Sequence, residues 1–328
     1  MSHASLPCRL RKPSRWNMAL AWVAAASLTG TVHGQPATRC WQEDPSLETA
    51  VRGVLKATGL DTALAQGRLG VTVIDLCDTT ALGCSLNGSK PFYAASIAKT
   101  LVLCSAFRMR QQVRHGHRTI RPQWARLLVS KGGNIAFSDT ADRLLRNMIR
   151  SSSNQAATSL INSIGLPYID SCAVALGLHD AHSGGLWLGA PFGPGPSYRR
   201  DPVSGLSHAC SADALAHLFA LLAQHALVDS TASVEMRAIL GRTNINNRFH
   251  RALRKVHPDA SIYRKTGTWY GGTDVWAHEA CLVERGGIRY VAAVTCRGAD
   301  CPASLDRFIV PLDAAIAGRS NHPTPVVR

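Results

Sequence analysis

The stretch SIYRKTGTWYGGTDVWAHEACLVERGGIRYVAAVTC, residues 261–296, decides the fold. Its three runs, 261–269, 274–284 and 287–296, alternate or run apolar with turn signals between them, and so read as successive strands. Near the other end of the chain, LGVTVIDL (69–76) is equally rich in β-branched residues, and a turn leads to a short return strand near Leu86. Before it, Asp44 is a natural N-cap and Pro45 suits the first helical position. Leu47, Val51, Val54 and Leu55 then share one helical face. Residues 96 to about 240 read as mainly helical, with apolar stripes in SIAKTLVLCSAF, SDTADRLLRNMI, NQAATSLINSIG and SADALAHLFALLAQHAL. A last helix, Ser304 to Ala317, is expected to be interrupted or bent near Pro311. The order predicts an α/β (α+β) fold. An antiparallel sheet built from both chain ends is flanked by helices, with an all-helical subdomain inserted. Residues 35–328 form one domain, with 35–95 plus 241–328 as its α/β part and 96–240 as its helical part.

The first 34 residues stand apart. Arg9, Arg11, Lys12 and Arg15 make a basic start, Met18 to Gly30 is a short apolar run, and Val32 and Gly34 suit a cleavage site. Thirteen residues are too few for a bilayer core that needs about 20, so the reading is a signal peptide of an exported, periplasmic or secreted protein. No stable membrane anchor is expected after cleavage. The whole chain carries a formal charge of +15, which favours anionic surroundings. Aromatics are only 6%, with no reading motif, so nucleic acid is not an expected partner. The densest basic stretch, FRMRQQVRHGHRTIR, reads as a solvated helix end and loop.

An exported chain meets an oxidising compartment, where its cysteines can pair. Cys77 and Cys84 bracket a turn, as do Cys296 and Cys301, and both are plausible local bridges. No metal is expected: Cys-x-x-Cys and His-Glu-x-x-His are absent, and His115 and His117 sit in a loop. With no phosphate loop or dinucleotide fingerprint, no cofactor is expected either.

Three short motifs lie in this framework. Ser96 and Lys99, in SIAK at a helix start, share a helix face and can act as nucleophile and base if the lysine pKa falls. Ser152, Ser153 and Asn154 lie between two helices; a serine there can relay a proton and an asparagine can hold an amide. Lys265, Thr266 and Gly267, followed by Thr268, lie on a strand. The lysine raises the local potential, threonine hydroxyls can hold a carboxylate, and glycine allows close backbone approach. Each motif singly is weak; together, in this order and in these contexts, they are strong.

In these motifs the chain resembles the penicillin-recognising serine enzymes, the superfamily of serine β-lactamases and penicillin-binding DD-peptidases, and most of all class A β-lactamases. The resemblance implies a serine hydrolase that cleaves the amide of β-lactam-like small molecules through an acyl-enzyme on Ser96. Lys99 would then be the general base or part of the proton path. Ser152 would pass a proton to the leaving nitrogen with electrostatic help from Lys265. Asn154 would bind the substrate's side-chain amide, and Thr266 and Thr268 its carboxylate. The Ser96 and Thr268 backbone amides would form the oxyanion hole.

The pattern departs in one place that bears on turnover. Class A enzymes carry a Glu-x-x-Leu-Asn motif for deacylation, yet no glutamate lies between Gln155 and Val234. The segment that should carry it, HSGGLWLGAPFGPGPSYRRDPVSG (182–205), is rich in glycine and proline; its nearest carboxylates are Asp180 and Asp201. Ser153 also stands where class A enzymes usually have aspartate. A D-Ala-D-Ala carboxypeptidase or peptidoglycan peptidase is therefore the alternative, and a β-lactam-binding module without turnover a further one. Tyr93, Trp187, Trp269 and Tyr270 are candidate specificity residues or simple packing.

Overall fold

The computed structural model describes residues 40–193, 199–271 and 274–320. The expected signal peptide lies outside them. A six-stranded sheet runs in the order Gln42–Glu43, Leu82–Leu86, Leu69–Asp75, Ile288–Arg297, Asp274–Arg285, Ser261–Gly271. Both chain ends therefore build it. All neighbours are antiparallel except the first pair.

Strand residues alternate between two cores, as a period of two requires. On Ile288–Arg297, Ala292 and Val294 join Val71, Val73, Leu47 and Phe308 on one face. Val291 and Ala293 turn to the other, with Leu101, Leu215 and Phe219. The first face is covered by helix Pro45–Ala57 and by the last helix, Cys301–Ser320. The first of these is capped as expected: the Asp44 carboxylate accepts the Ser46 N–H, and Pro45 opens the helix. The last is not interrupted; it runs through Pro311 as one element. Extensive burial of Leu305, Phe308, Ile309, Leu312 and Ile316 holds it together across the missing backbone donor.

The block between the two sheet halves is mainly helical, with short hairpins such as Leu128–Lys131 with Asn134–Phe137. A small three-stranded sheet joins Phe92–Tyr93, His208–Cys210 and Trp187–Leu188. It anchors the glycine- and proline-rich segment beside the motif at Ser96. Among the described residues, no helix is long and apolar enough to cross a membrane.

Of the two expected disulfides, Cys296–Cys301 forms and Cys77–Cys84 does not. Cys84 pairs across the ladder with Val73, four residues from Cys77. At 3.3 Å per residue that is roughly 13 Å along the strand, against an upper limit near 7 Å for bridged Cα atoms. The Cys77 thiol instead accepts the Arg289 N–H at 3.4 Å.

Candidate active site

Ser96 lies not in an α-helix but in a 3₁₀ turn, Ala95–Ala98; Lys99 is the first residue of the α-helix that follows, Lys99–Arg114. Ala95 has φ +47°, a left-handed conformation that a side chain normally avoids. This kink turns the Ser96 hydroxyl toward Lys99. The turn is pressed against strand Ser261–Gly271 at Gly267. A Cβ there would stand 2.7 Å from the Ala94 carbonyl oxygen and 2.9 Å from the Ile97 nitrogen. Only glycine allows this approach.

The three motifs converge on Lys99, which is fully buried. Its Nζ lies 2.6 Å from the Ser152 carbonyl oxygen, 2.6 Å from Asn154 Oδ1 and 3.0 Å from Ser96 Oγ. The first two partners can only accept from it, so each takes an N–H. The remaining position faces the Ser96 hydroxyl at 3.0 Å, with Ser152 Oγ farther off at 3.3 Å. In the neutral amine that position is a lone pair aimed at the hydroxyl proton. Burial pushes the Lys99 pKa down to about 8, leaving about a tenth neutral at pH 7.

Ser152, at φ +57°, is the hinge between helices Asp139–Arg150 and Asn154–Ile164. Its Oγ is 3.3 Å from Lys99 Nζ and 3.0 Å from Lys265 Nζ. One hydroxyl thus bridges two buried lysine amines. Lys265 is pushed well below its usual range by burial first, then by the charges of Lys99 and Arg264. Ser153, in place of the usual aspartate, caps the second helix by accepting the Ala156 N–H.

Two residues that carry no motif signal complete the cluster. Arg248 is buried at the head of helix Arg248–Val256; its guanidinium donates to Thr268 Oγ1 and, at 3.1 Å, to the His278 carbonyl oxygen. His278 is also buried: Nε2 donates to the Tyr93 carbonyl oxygen at 2.8 Å, and Nδ1 accepts the Cys296 N–H at 3.3 Å. Burial pushes its pKa down to about 4, so it is a neutral strut tying the sheet to the approach to Ser96. Beneath the site Arg264 pairs with buried Glu279. The charge of this one buried carboxylate is shared by Arg264, Arg248 and Lys265, so basic groups outnumber it and the site favours anions.

The segment 182–205 brings no carboxylate to this cluster. Asp201 is buried, accepting His179 Nε2–H at 2.9 Å and the Ser204 N–H and hydroxyl. Burial would raise its pKa, but the Ser204 and His179 bonds outweigh that and hold it below the usual value. Asp180 closes a turn by accepting the His182 and Ser183 N–H groups. What the segment does bring is Phe192, whose ring centroid lies 4.7 Å from Lys99 Nζ. Trp187 packs against His179 and under Arg199, whereas Trp269 and Tyr270 remain 42% and 69% exposed at the end of the lysine-bearing strand. Among the described residues no cluster of metal-ligand type occurs.

A serine hydroxyl beside a buried lysine of lowered pKa, in a turn pressed against the edge strand of the sheet, is an arrangement suited to acyl transfer. The model of the beta-lactamase enzyme family matches residues 47–316, and the chain belongs to that family; it is a serine hydrolase. Among solved structures it is similar to PBP-A, with 19% identity, a TM-score of 0.59, and 86% of this chain and 98% of that chain covered. It is likewise similar to the beta-lactamase from Sphaerobacter thermophilus DSM 20745, with 18% identity, a TM-score of 0.58, and 85% and 98% covered. A mutant of PBP-A solved as an acyl-enzyme complex with penicillin G superposes with a TM-score of 0.59 at 19% identity, with 86% and 98% covered. No curated protein matches by sequence. At these identities the structural likeness speaks for the fold.

Proposed function

We propose that the protein opens the amide bond of β-lactams or related wall peptides by forming an acyl-enzyme on Ser96. The observation that carries this is the single lysine amine placed 3.0 Å from Ser96 Oγ with its other contacts fixed. Lys99 takes the Ser96 proton as the hydroxyl attacks the carbonyl carbon. The Ser96 and Thr268 backbone amides hold the resulting oxyanion. Ser152, fed by Lys99 and stabilised by Lys265, delivers a proton to the departing nitrogen. Asn154, with Oδ1 kept on Lys99, turns its amide N–H groups to the carbonyl of the substrate's side-chain amide. Thr266, Thr268 and Arg248 bind its carboxylate, and Gly267 lets the substrate backbone lie against the strand. We place this cleft at the seam between residues 35–95 with 241–328 and residues 96–240. We also place the protein outside the cytoplasm, after cleavage near Gly34.

Hydrolysis of the β-lactam acyl-enzyme is proposed to use Lys99 as base. The Phe192 ring against Lys99 favours a second reading, a D-Ala-D-Ala carboxypeptidase that holds a β-lactam adduct for long periods. Intact mass followed after mixing with penicillin tests both. A mass gain absent in Ser96→Ala and reversed with product release supports the hydrolase. A persistent adduct supports the carboxypeptidase. Neither adduct nor product release sinks both.

A further inference from the structure

Between Asp78 and Asp139 the chain has no acidic residue. Within that span Arg110 is satisfied by Glu235. Arg108, Arg114, Arg118, Arg121, Arg126 and Lys131 have no carboxylate partner among the described residues, and all but half-buried Arg108 are exposed. Elsewhere Arg237, Arg285 and Arg319 pair with Glu284, Asp313 and Asp44, while Arg150, Arg200 and Arg254 donate to backbone carbonyls.

The cations are held, not merely solvated. Arg118 lies over the Tyr168 ring at 5.3 Å, and Arg121 over the Trp124 ring at 5.2 Å. The two rings meet edge to face at 5.1 Å. Each ring is pinned in turn: Trp124 Nε1 donates to the Ile164 carbonyl oxygen at 3.2 Å and the Tyr168 hydroxyl to Gln112 Oε1 at 2.8 Å. Arg108 is near enough for its charge to act on Tyr168, as Arg118's does. So guanidiniums from a helix and from the loop after it gather over one rigid platform. Stacked guanidiniums lose less freedom on binding an anion than free ones. Between Arg118 and Arg121 in the chain stands Ile120, an apolar side chain 40% exposed.

We propose that this surface, residues 108–131, docks the protein on an anionic phospholipid bilayer, with the guanidiniums on headgroup phosphates and Ile120 entering the interface. Basic side chains near such a surface bind by charge, and an apolar residue among them gains by leaving water. A nucleic acid fits less well. The platform rings are covered, Trp124 at 0% and Tyr168 at 6% exposure, so the patch offers no ring on which bases could stack. The placement also sets an orientation. Helix Lys99–Arg114 has the catalytic lysine at one end and the patch at the other. At 1.5 Å per residue the two ends are roughly 22 Å apart, so docking leaves the cleft free.

The test is flotation of residues 35–328, which contain every described element, with vesicles of phosphatidylglycerol and phosphatidylcholine in equal parts. Binding is expected to these and not to phosphatidylcholine alone, and to weaken steeply as salt rises. R114E/R118E/R121E together should lower the partition coefficient at least about tenfold. R118K/R121K should keep most of the binding, and R251E/R297E, outside the patch, should keep all of it. Thermal melts of each variant separate misfolding from lost charge. Absence of wild-type binding, equal binding by the charge reversal and wild type, or equal loss in R251E/R297E overturns the proposal. So does binding of duplex DNA without binding of vesicles.

Discussion

The two sides of Lys99 differ sharply. Toward the sheet and the Ser152 hinge it meets Ser96, Ser152 and Asn154, each at hydrogen-bond distance. Toward segment 182–205 it meets the face of Phe192. The first side is equipped to form an acyl-enzyme; the second has no carboxylate to direct a water at it. On the proposed mechanism, acylation and deacylation would depend on different chain segments, and they should respond to different substitutions.

The largest effect tests the first side. Ser96→Ala should lower the acylation rate at least about a thousandfold, as read by intact mass. A smaller loss would place the nucleophile elsewhere. Next comes pH. If the neutral amine is the base, as proposed, then with burial lowering the Lys99 pKa to about 8 acylation should climb as pH rises from 6 and level off above 8. That is about a hundredfold across the window. A flat profile would remove Lys99 from the proton path. Arg248→Ala should raise KM for a carboxylate-bearing substrate about tenfold with kcat little changed, since a charged hydrogen bond is worth about 1.5–3 kcal/mol.

The second side is probed by smaller effects. Phe192→Ala opens room for water beside Lys99; deacylation should rise about tenfold, and acylation stay within about twofold. If both rates move together, the two sides are not separable. Asp201→Asn should leave both rates within about twofold and lower stability by about 1–2 kcal/mol in denaturant melts. A large loss of deacylation alone would make Asp201 more than a brace of its own loop.

What was legible from sequence and what was not follows the same division. Ser96, Lys99, Ser152, Asn154 and Lys265 could be grouped because each sits at a fixed place on a local element, a turn, a hinge or a strand. The strands around Lys265 were readable because alternation on two packed faces leaves a pattern. Arg248 left none. It reaches Thr268 only because its helix packs beside the strand, and spacing along the chain does not encode that contact. The composition of segment 182–205 marked it as unusual, but not that Phe192 would settle on Lys99. The Cys77–Cys84 expectation failed for a metric reason: bracketing a turn does not put two residues opposite each other in the ladder.

The contact at Gly267 has a consequence for how such an enzyme can change. There the cleft floor is chiefly main chain pressed on main chain, the Ala94 carbonyl and Ile97 nitrogen against Gly267, with the Ile97 Cβ beside them. Mutation has nothing to trim at that point and no room to add. On the proposed function, new substrate preferences would be acquired around this floor, at Tyr93, Trp269, Tyr270 and Phe192, while the floor passes unaltered from one variant to the next.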